Sequence, residues 1–352
     1  MKRKSLKTKI GLICGLGICL TALILTTYSS LIIRNAAIKS GENEVVLTAE
    51  KYSQKIERDL EIAMAASNTM SNLHASLKKD KTLKIDRDGI NVFLKEELKS
   101  NSSFFGCYTL WEPNSFDNRD KEFVNKPGHD STGRFIPYWT LNQKKEFVLE
   151  PLTDYMKTGP GDYYQIPKNT GIEALIDPYL YPVNGKDVLM CSLVTPIKID
   201  NTFYGIAGID VTIDFLQKLV ENAKKEIIDG KTNISIISNN GTYAANTLRP
   251  ERIGKKLAEF NEDAESQLIT IKDGNKQIIK TNGNLKVLTP IIIGKTNTPW
   301  QVRITIPYSE ITYNANNQML IQLSIGLLLI ITSIFIVLYF LKASLKSENI
   351  DL

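Results

Sequence analysis

The residues best suited to chemistry in this chain are aromatic, and they crowd one stretch. Trp111, Tyr138, Trp139, Tyr155, Tyr163, Tyr164, Tyr179 and Tyr181 fall within about 70 residues. Aromatic faces attract cations within about 6 Å, and cages of such rings hold ammonium groups. Arg134 sits in Gly133-Arg134-Phe135-Ile136-Pro137-Tyr138-Trp139, Asp154 and Asp162 lie further on, and Asp210 ends Gly208-Ile209-Asp210. An Arg fork matches a carboxylate, and an Asp gives an ammonium its counter-charge. Each residue also has a plainer use. An Arg among rings can simply pack, and Asp210 precedes an apolar-periodic segment from Phe215 that it can cap. Tyr155, Tyr163 and Tyr164 suit a loop or a core equally well.

Other chemistries lack their residues. The sequence contains no Gly-x-Ser-x-Gly, no phosphate-cradling glycine loop and no Cys/His spacing for a metal, so neither an enzyme nor a cofactor is expected. His74 and His129 stand apart from each other and from any cluster. Cys107 and Cys191 fall in apolar runs, as small buried hydrophobes or, outside a cell, as a disulfide pair.

The elements that must position these residues begin with two membrane segments. Residues 10–33 and 319–341 contain no Lys, Arg, Asp or Glu and are each long enough to span a bilayer. The stub at residues 1–9 carries five basic residues, and the tail at 342–352 carries Lys342 and Lys346 against Glu348 and Asp351. Lys and Arg beside a span favour the cytoplasm, so a two-pass cell-membrane protein with an extracytoplasmic central region is expected. That region holds 36 basic and 36 acidic residues. A neutral domain argues against a nucleic-acid partner.

Apolar residues at Val45, Ala49, Tyr52, Ile56, Leu60, Ala63, Ala66, Met70, Leu73 and Leu77 step by three or four, the stripe of one long helix. Short strands follow at 104–111, 187–199 and 203–213, with a helix from 215 to 228. A second group of strands is predicted at 233–238, 242–245, 268–272, 276–280, 286–293 and 300–306, with hairpin turns at Asp273-Gly274 and Asn282-Gly283. The fold class is α+β. A spine helix and connection (34–100) leads to a membrane-distal module (101–228) and a membrane-proximal module (229–318).

Several strings in this plan are similar to a known family. Phe203-Tyr204-Gly205-Ile206-Ala207-Gly208-Ile209-Asp210, Ser238-Asn239-Asn240-Gly241-Thr242-Tyr243 and Pro299-Trp300-Gln301-Val302 resemble strands of the double Cache sensor domain. That domain belongs to bacterial chemoreceptors, sensor kinases and cyclic-di-nucleotide enzymes. The resemblance implies two PAS-like modules against a long helix, with ligand in the distal one. It places Arg134, Tyr179 and Asp210 at family ligand positions. It extends the candidate site to Tyr138, Trp139, Trp111, Asp154 and Tyr164. The amino-acid-binding pattern is altered here. Three residues, not one, separate Arg134 from its aromatic pair, which is reversed to Tyr138-Trp139, and His129 stands where a Tyr is usual. This form resembles the subgroup for amines and quaternary ammonium compounds.

The resemblance therefore implies a chemoreceptor-like sensor of a small amine, quaternary ammonium compound or amino acid, acting as a homodimer. No output segment follows the second span in this sequence, so a full-length chemoreceptor or a separate signalling protein is the expected partner. The alternative is a membrane-anchored solute-binding or accessory protein with no signalling role.

Overall fold

The computed structural model describes residues 6–348 except 81, 143, 228–229 and 282. The extreme ends of the two basic stubs, the end of the helix expected to close at 228, and Asn282 of the expected turn lie outside the described residues. The chain divides into two compact units. One comprises residues 1–46, 282–284 and 306–352, the other 47–281 and 285–305.

The first unit pairs the start of α1 (Leu6–Lys79) with α6 (Tyr308–Glu348). Both are long and apolar enough to cross a membrane, and most of their large apolar side chains are exposed, Leu16 and Phe335 among them. The few polar groups pair across the two helices. Gln322 Nε2 donates to Ser29 Oγ at 2.9 Å, and Arg34 Nε donates to Asn316 Oδ1 at 2.7 Å. A Cβ on Gly326 would stand 2.1 Å from Thr26 Cγ2, so glycine is needed for that approach. Small residues and shared hydrogen bonds are what hold helices together where the solvent is lipid.

The second unit contains two sheets. β1 (Gly106–Trp111), β2 (Pro137–Leu141), β3 (Phe147–Pro151), β4 (Ala174–Val183), β5 (Lys186–Ile199) and β6 (Thr202–Thr212) form the first, in the order β3-β2-β1-β6-β5-β4. β7 (Asn233–Ile237), β8 (Tyr243–Asn246), β9 (Gln277–Thr281), β10 (Asn284–Ile291) and β11 (Trp300–Pro307) form the second, in the order β8-β7-β11-β10-β9. Tight turns join the long strands of the first sheet. Asn184-Gly185 links β4 to β5 and Asp200-Asn201 links β5 to β6, all four with positive φ. Two consecutive positive-φ residues match the right-handed twist of the strands they join.

The expected stripe is present on α1. Ala49, Tyr52, Ile56, Leu60, Ala63 and Met70 are buried. Between them, Ser67 Oγ donates to Ala207 O and Ser71 Oγ to Pro196 O, both at 2.9 Å, which seats the helix on the backbone of the first sheet. α2 (Arg87–Ser100) starts at Asp86, whose side chain accepts from Gly89 N. α4 (Ile213–Glu226) starts at Thr212, whose hydroxyl accepts from Phe215 N. The cap of α4 is thus Thr212, and Asp210 is free for other work.

One expected strand is wrong. Residues 268–272 lie in α5 (Ala264–Lys272), and Asp273-Gly274 ends this helix with Gly274 at φ 62°. Ala264, Leu268 and Ile271 share one core cluster. Their spacing of four and three is helical, and it outweighs the β-branched content of Leu268–Lys272. Cys107 and Cys191 are both free and buried. Cys107 packs 3.3 Å from Met70 Sδ.

Candidate ligand site

The first sheet brings together residues that are far apart in sequence. Asp210 on β6 pairs in register with Gly106 of β1 on one side and with Ser192 of β5 on the other. Tyr108 pairs with Gly208 and with Tyr138. These residues share one face because side chains alternate along a strand. Two glycines make room for the rings. A Cβ on Gly106 would meet Tyr138 Cε2 at 2.4 Å, and one on Gly208 would meet the Tyr108 ring at 2.3 Å. The two tyrosines therefore lie down over the sheet beside Asp210.

Tyr179 and Tyr181 of β4 and Tyr163 of α3 (Asp162–Thr170) complete a box of five tyrosines. Tyr108, Tyr138 and Tyr181 each meet another ring of the box edge-on at 5.8 Å or less. Tyr163 stacks on Tyr179 at 6.5 Å. Ser192 Oγ donates to Asp210 Oδ1 at 2.5 Å, and the Tyr179 and Ser192 hydroxyls are 2.7 Å apart. The Tyr108 hydroxyl is buried without a hydrogen-bond partner among the described residues.

Asp210 is 2% exposed. No basic side chain pairs with it among the described residues. Burial pushes its pKa up to about 7, against hydrogen bonds from Ser192 and Tyr138 that hold it down. Burial first, and the Asp210 charge second, hold the hydroxyls of Tyr108, Tyr138 and Tyr179 well above the usual tyrosine range. The box is a solitary carboxylate ringed by aromatic faces and neutral hydroxyls. Such a group favours a cation strongly, because its charge has little else to solvate it. Tyr179 is half-buried and also lines a cavity of about 250 Å³ with Asp162, Ile166 and Asn240.

The other sequence candidates fall elsewhere. Trp139 follows Tyr138 on β2 and so points the opposite way. Its Nε1 donates to Asn91 Oδ1 of α2 at 3.0 Å, and Lys95 lies over its ring. The expected pair of cage walls, Tyr138 with Trp139, is therefore divided between two faces. Trp111 also lies on the far face, edge-on to His74 of α1 at 5.7 Å. Burial pushes the His74 pKa down to about 3, so this ring is a neutral packing partner. Asp154 occupies a positive-φ turn and pairs with Lys157 at 2.7 Å.

Arg134 is held in a network of its own. Its Nε donates to Trp111 O, and its Nη2 donates to Glu112 Oε1 at 3.2 Å and to the Tyr164 hydroxyl at 3.1 Å. Lys168 joins them, 3.1 Å from Glu112 and 2.8 Å from the Tyr164 hydroxyl. Tyr164 thus anchors α3 to the strand end and does not belong to the five-tyrosine box. Ser192 and Tyr108 were not among the sequence candidates. Tyr108 has a signal in hindsight, since it shares strand parity with Gly106 and faces Gly208. Ser192 has none. Among the described residues, no group of three or more His, Cys, Asp or Glu could hold a metal ion.

A six-stranded antiparallel sheet holding a buried site, followed by a second smaller sheet, defines a sensor module of the Cache type. Residues 90–218 match the family described as the methyl-accepting chemotaxis protein-like, first PDC sensor domain. The chain is 28% identical to the methyl-accepting chemotaxis protein TlpQ of Pseudomonas aeruginosa, over 88% of this chain and 48% of that protein. It spans about half the length of this relative. The extracellular domain of the putative histidine kinase mmHK1S-Z3 superposes with a TM-score of 0.64 and 27% identity, over 80% of this chain and 98% of that one. The sensory domain of the Campylobacter jejuni chemoreceptor Tlp1 shares the fold, with a TM-score of 0.57 and 14% identity over 78% of this chain and 98% of that one.

Proposed function

We propose that this protein is a membrane-anchored, extracytoplasmic sensor whose first module binds a small protonated amine at Asp210. The observation that carries this reading is a buried carboxylate with no basic partner among the described residues, enclosed by five tyrosines. The hydroxyls of Ser192 and Tyr179 beside it, and the unpartnered Tyr108 hydroxyl, suit a cation bearing N–H donors better than a quaternary one. An amino acid is disfavoured. The carboxylate partner it needs would be Arg134, and that guanidinium already has a carboxylate counter-charge in Glu112 and gives three of its five N–H donors to Trp111 O, Glu112 and Tyr164.

The two apolar helices anchor the protein as a two-pass membrane protein, with both ends cytoplasmic. Binding acts as a signal only if the ligand prefers one of two conformations, a coupling typically worth about 1–3 kcal/mol. The box is closed, so ligand entry past half-buried Tyr179 is itself such a change. Output follows through a chemoreceptor-type signalling region or partner.

A thermal-shift screen of the full chain in detergent tests this, using primary amines, quaternary ammonium compounds and amino acids. A ligand at 100 times its Kd adds about 2.7 kcal/mol of stability. Primary amines are expected to stabilise the parent and not Asp210→Asn. Equal stabilisation of both, or a response to amino acids alone, would sink the reading.

A further inference from the structure

The second sheet carries a charge in a place where strands are usually apolar. β11 lies between β7 and β10 at the centre of the sheet. Val302, Ile304 and Ile306 are buried in its core face. Gln301, Arg303 and Thr305 alternate to the other face, in register with Ile237, Ser235 and Asn233. There a cavity of about 440 Å³ lies under Gln267 and Thr270 of α5.

Arg303 projects into this cavity with only neutral partners. Its Nε donates to Gln301 Oε1 at 2.7 Å, and its Nη1 donates to Gln267 Oε1. A guanidinium has five N–H donors, so three remain, both protons of Nη2 among them. No carboxylate forms an ion pair with Arg303 among the described residues. Burial pulls its pKa down to about 10, against weaker upward pulls from Tyr243 and Asp263. Lys286 and Arg252 line the same cavity, and Asp263 is the one acid among the described lining residues. Asp263 is engaged by Gln267 Nε2 at 2.6 Å. A half-dry cavity with three cations and one engaged acid favours an anion. Ile237, Leu288 and Tyr243 supply apolar wall for an organic body.

We infer that the second module holds a ligand site of its own, which takes a small organic carboxylate on the free edge of the Arg303 guanidinium with Lys286 and Arg252 at its rim. Planar carboxylates match that fork in a two-point contact. The site is distinct from Asp210, which lies in the first sheet and prefers the opposite charge. It does not depend on what the first module binds.

Isothermal titration of the full chain in detergent tests it, with acetate, succinate, benzoate and inorganic phosphate as probes at pH 7. At least one carboxylate is expected to bind, and more tightly than phosphate. Arg303→Gln should weaken that binding about tenfold or more, because a charge-assisted contact is lost. Lys286→Gln lies outside the buried core, so its melting should match the parent while affinity falls roughly three- to tenfold. Asp210→Asn should leave the affinity within about twofold. The inference is overturned if no carboxylate binds at millimolar concentration or if phosphate outcompetes them all. It is equally overturned if Lys286→Gln binds like the parent, or if Asp210→Asn abolishes the binding.

Discussion

Asp210→Asn should make the protein more stable near neutral pH while removing its response to amines. The Asp210 pKa rises from 3.8 in the unfolded chain to about 7 in the fold. At 1.36 kcal/mol per unit, keeping this carboxylate ionised in the fold costs about 4 kcal/mol at pH 7 and above. The sign follows from proton counts. Between pH 4 and pH 7 the folded protein holds more protons than the unfolded chain, so stability is greatest in acid and falls as pH rises toward 7. Asn removes that cost. Its Oδ1 can still accept from Ser192, but its amide N–H groups need acceptors, and leaving one unmet costs about 1–3 kcal/mol. The unpartnered Tyr108 hydroxyl is a ready acceptor. The net gain at pH 8 is then about 1–3 kcal/mol, or several degrees in Tm for a unit of this size. The difference between variant and parent should shift by about 3 kcal/mol between pH 8 and pH 5, so that the gain closes or reverses in acid. Thermal melts of both proteins across that range measure it. A variant that melts below the parent at pH 8, with a parent curve flat in pH, would refute the reasoning. It would mean that Asp210 is ionised and well paired, with no need of a cation.

The same titration sets the pH dependence of binding. Amine affinity should drop as pH falls below about 7, approaching tenfold per unit, because protons compete for Asp210; calorimetry in buffers of different ionisation enthalpy should show proton release on binding. Arg134→Ala should destabilise the first module by about 2 kcal/mol, since Glu112 keeps Lys168 but loses the Arg134 contact. Denaturant melts measure that, and amine affinity corrected for folding should change little. Gly208→Ala should displace the Tyr108 ring, cost about 1–3 kcal/mol, and weaken amine binding with it. Cysteine labelling should find Asn240 accessible from outside intact cells, and reporters fused at both ends should report cytoplasm.

Local patterns in the sequence carried much of the architecture. A stripe at three- and four-residue steps needs only the helical repeat to be read, and Val45, Ala49, Tyr52, Ile56, Leu60, Ala63 and Met70 are buried along α1 as that repeat requires. Uncharged segments long enough for a bilayer are legible by counting. Most strands were legible too, since alternation and turn residues are short-range signals. The strands at Pro137–Leu141, Phe147–Pro151 and Ala174–Val183 were not read, and Leu268–Lys272 was read as a strand although it is helical. Its β-branched residues masked a helical spacing that began four residues earlier, at Ala264.

The make-up of the candidate site was decided by tertiary structure. Asp210, Tyr138 and Tyr179 could be named from the sequence, but not what surrounds them. Ser192 meets Asp210 across 18 residues because β5 and β6 fall in one register, and a shift by a single residue would turn it to the other face. The same two-residue period divides Tyr138 from Trp139 and sends Trp111 to α1. Whether Arg134 is free for a ligand depends on Glu112, just after β1, and on Tyr164 and Lys168 of α3, both distant in sequence. The sequence also allowed Asp210 as a helix cap, but Thr212 occupies that position. Residue type announces a charge and a ring, whereas the pairing of strands determines which of them share a face, and burial determines which charge is left without a partner.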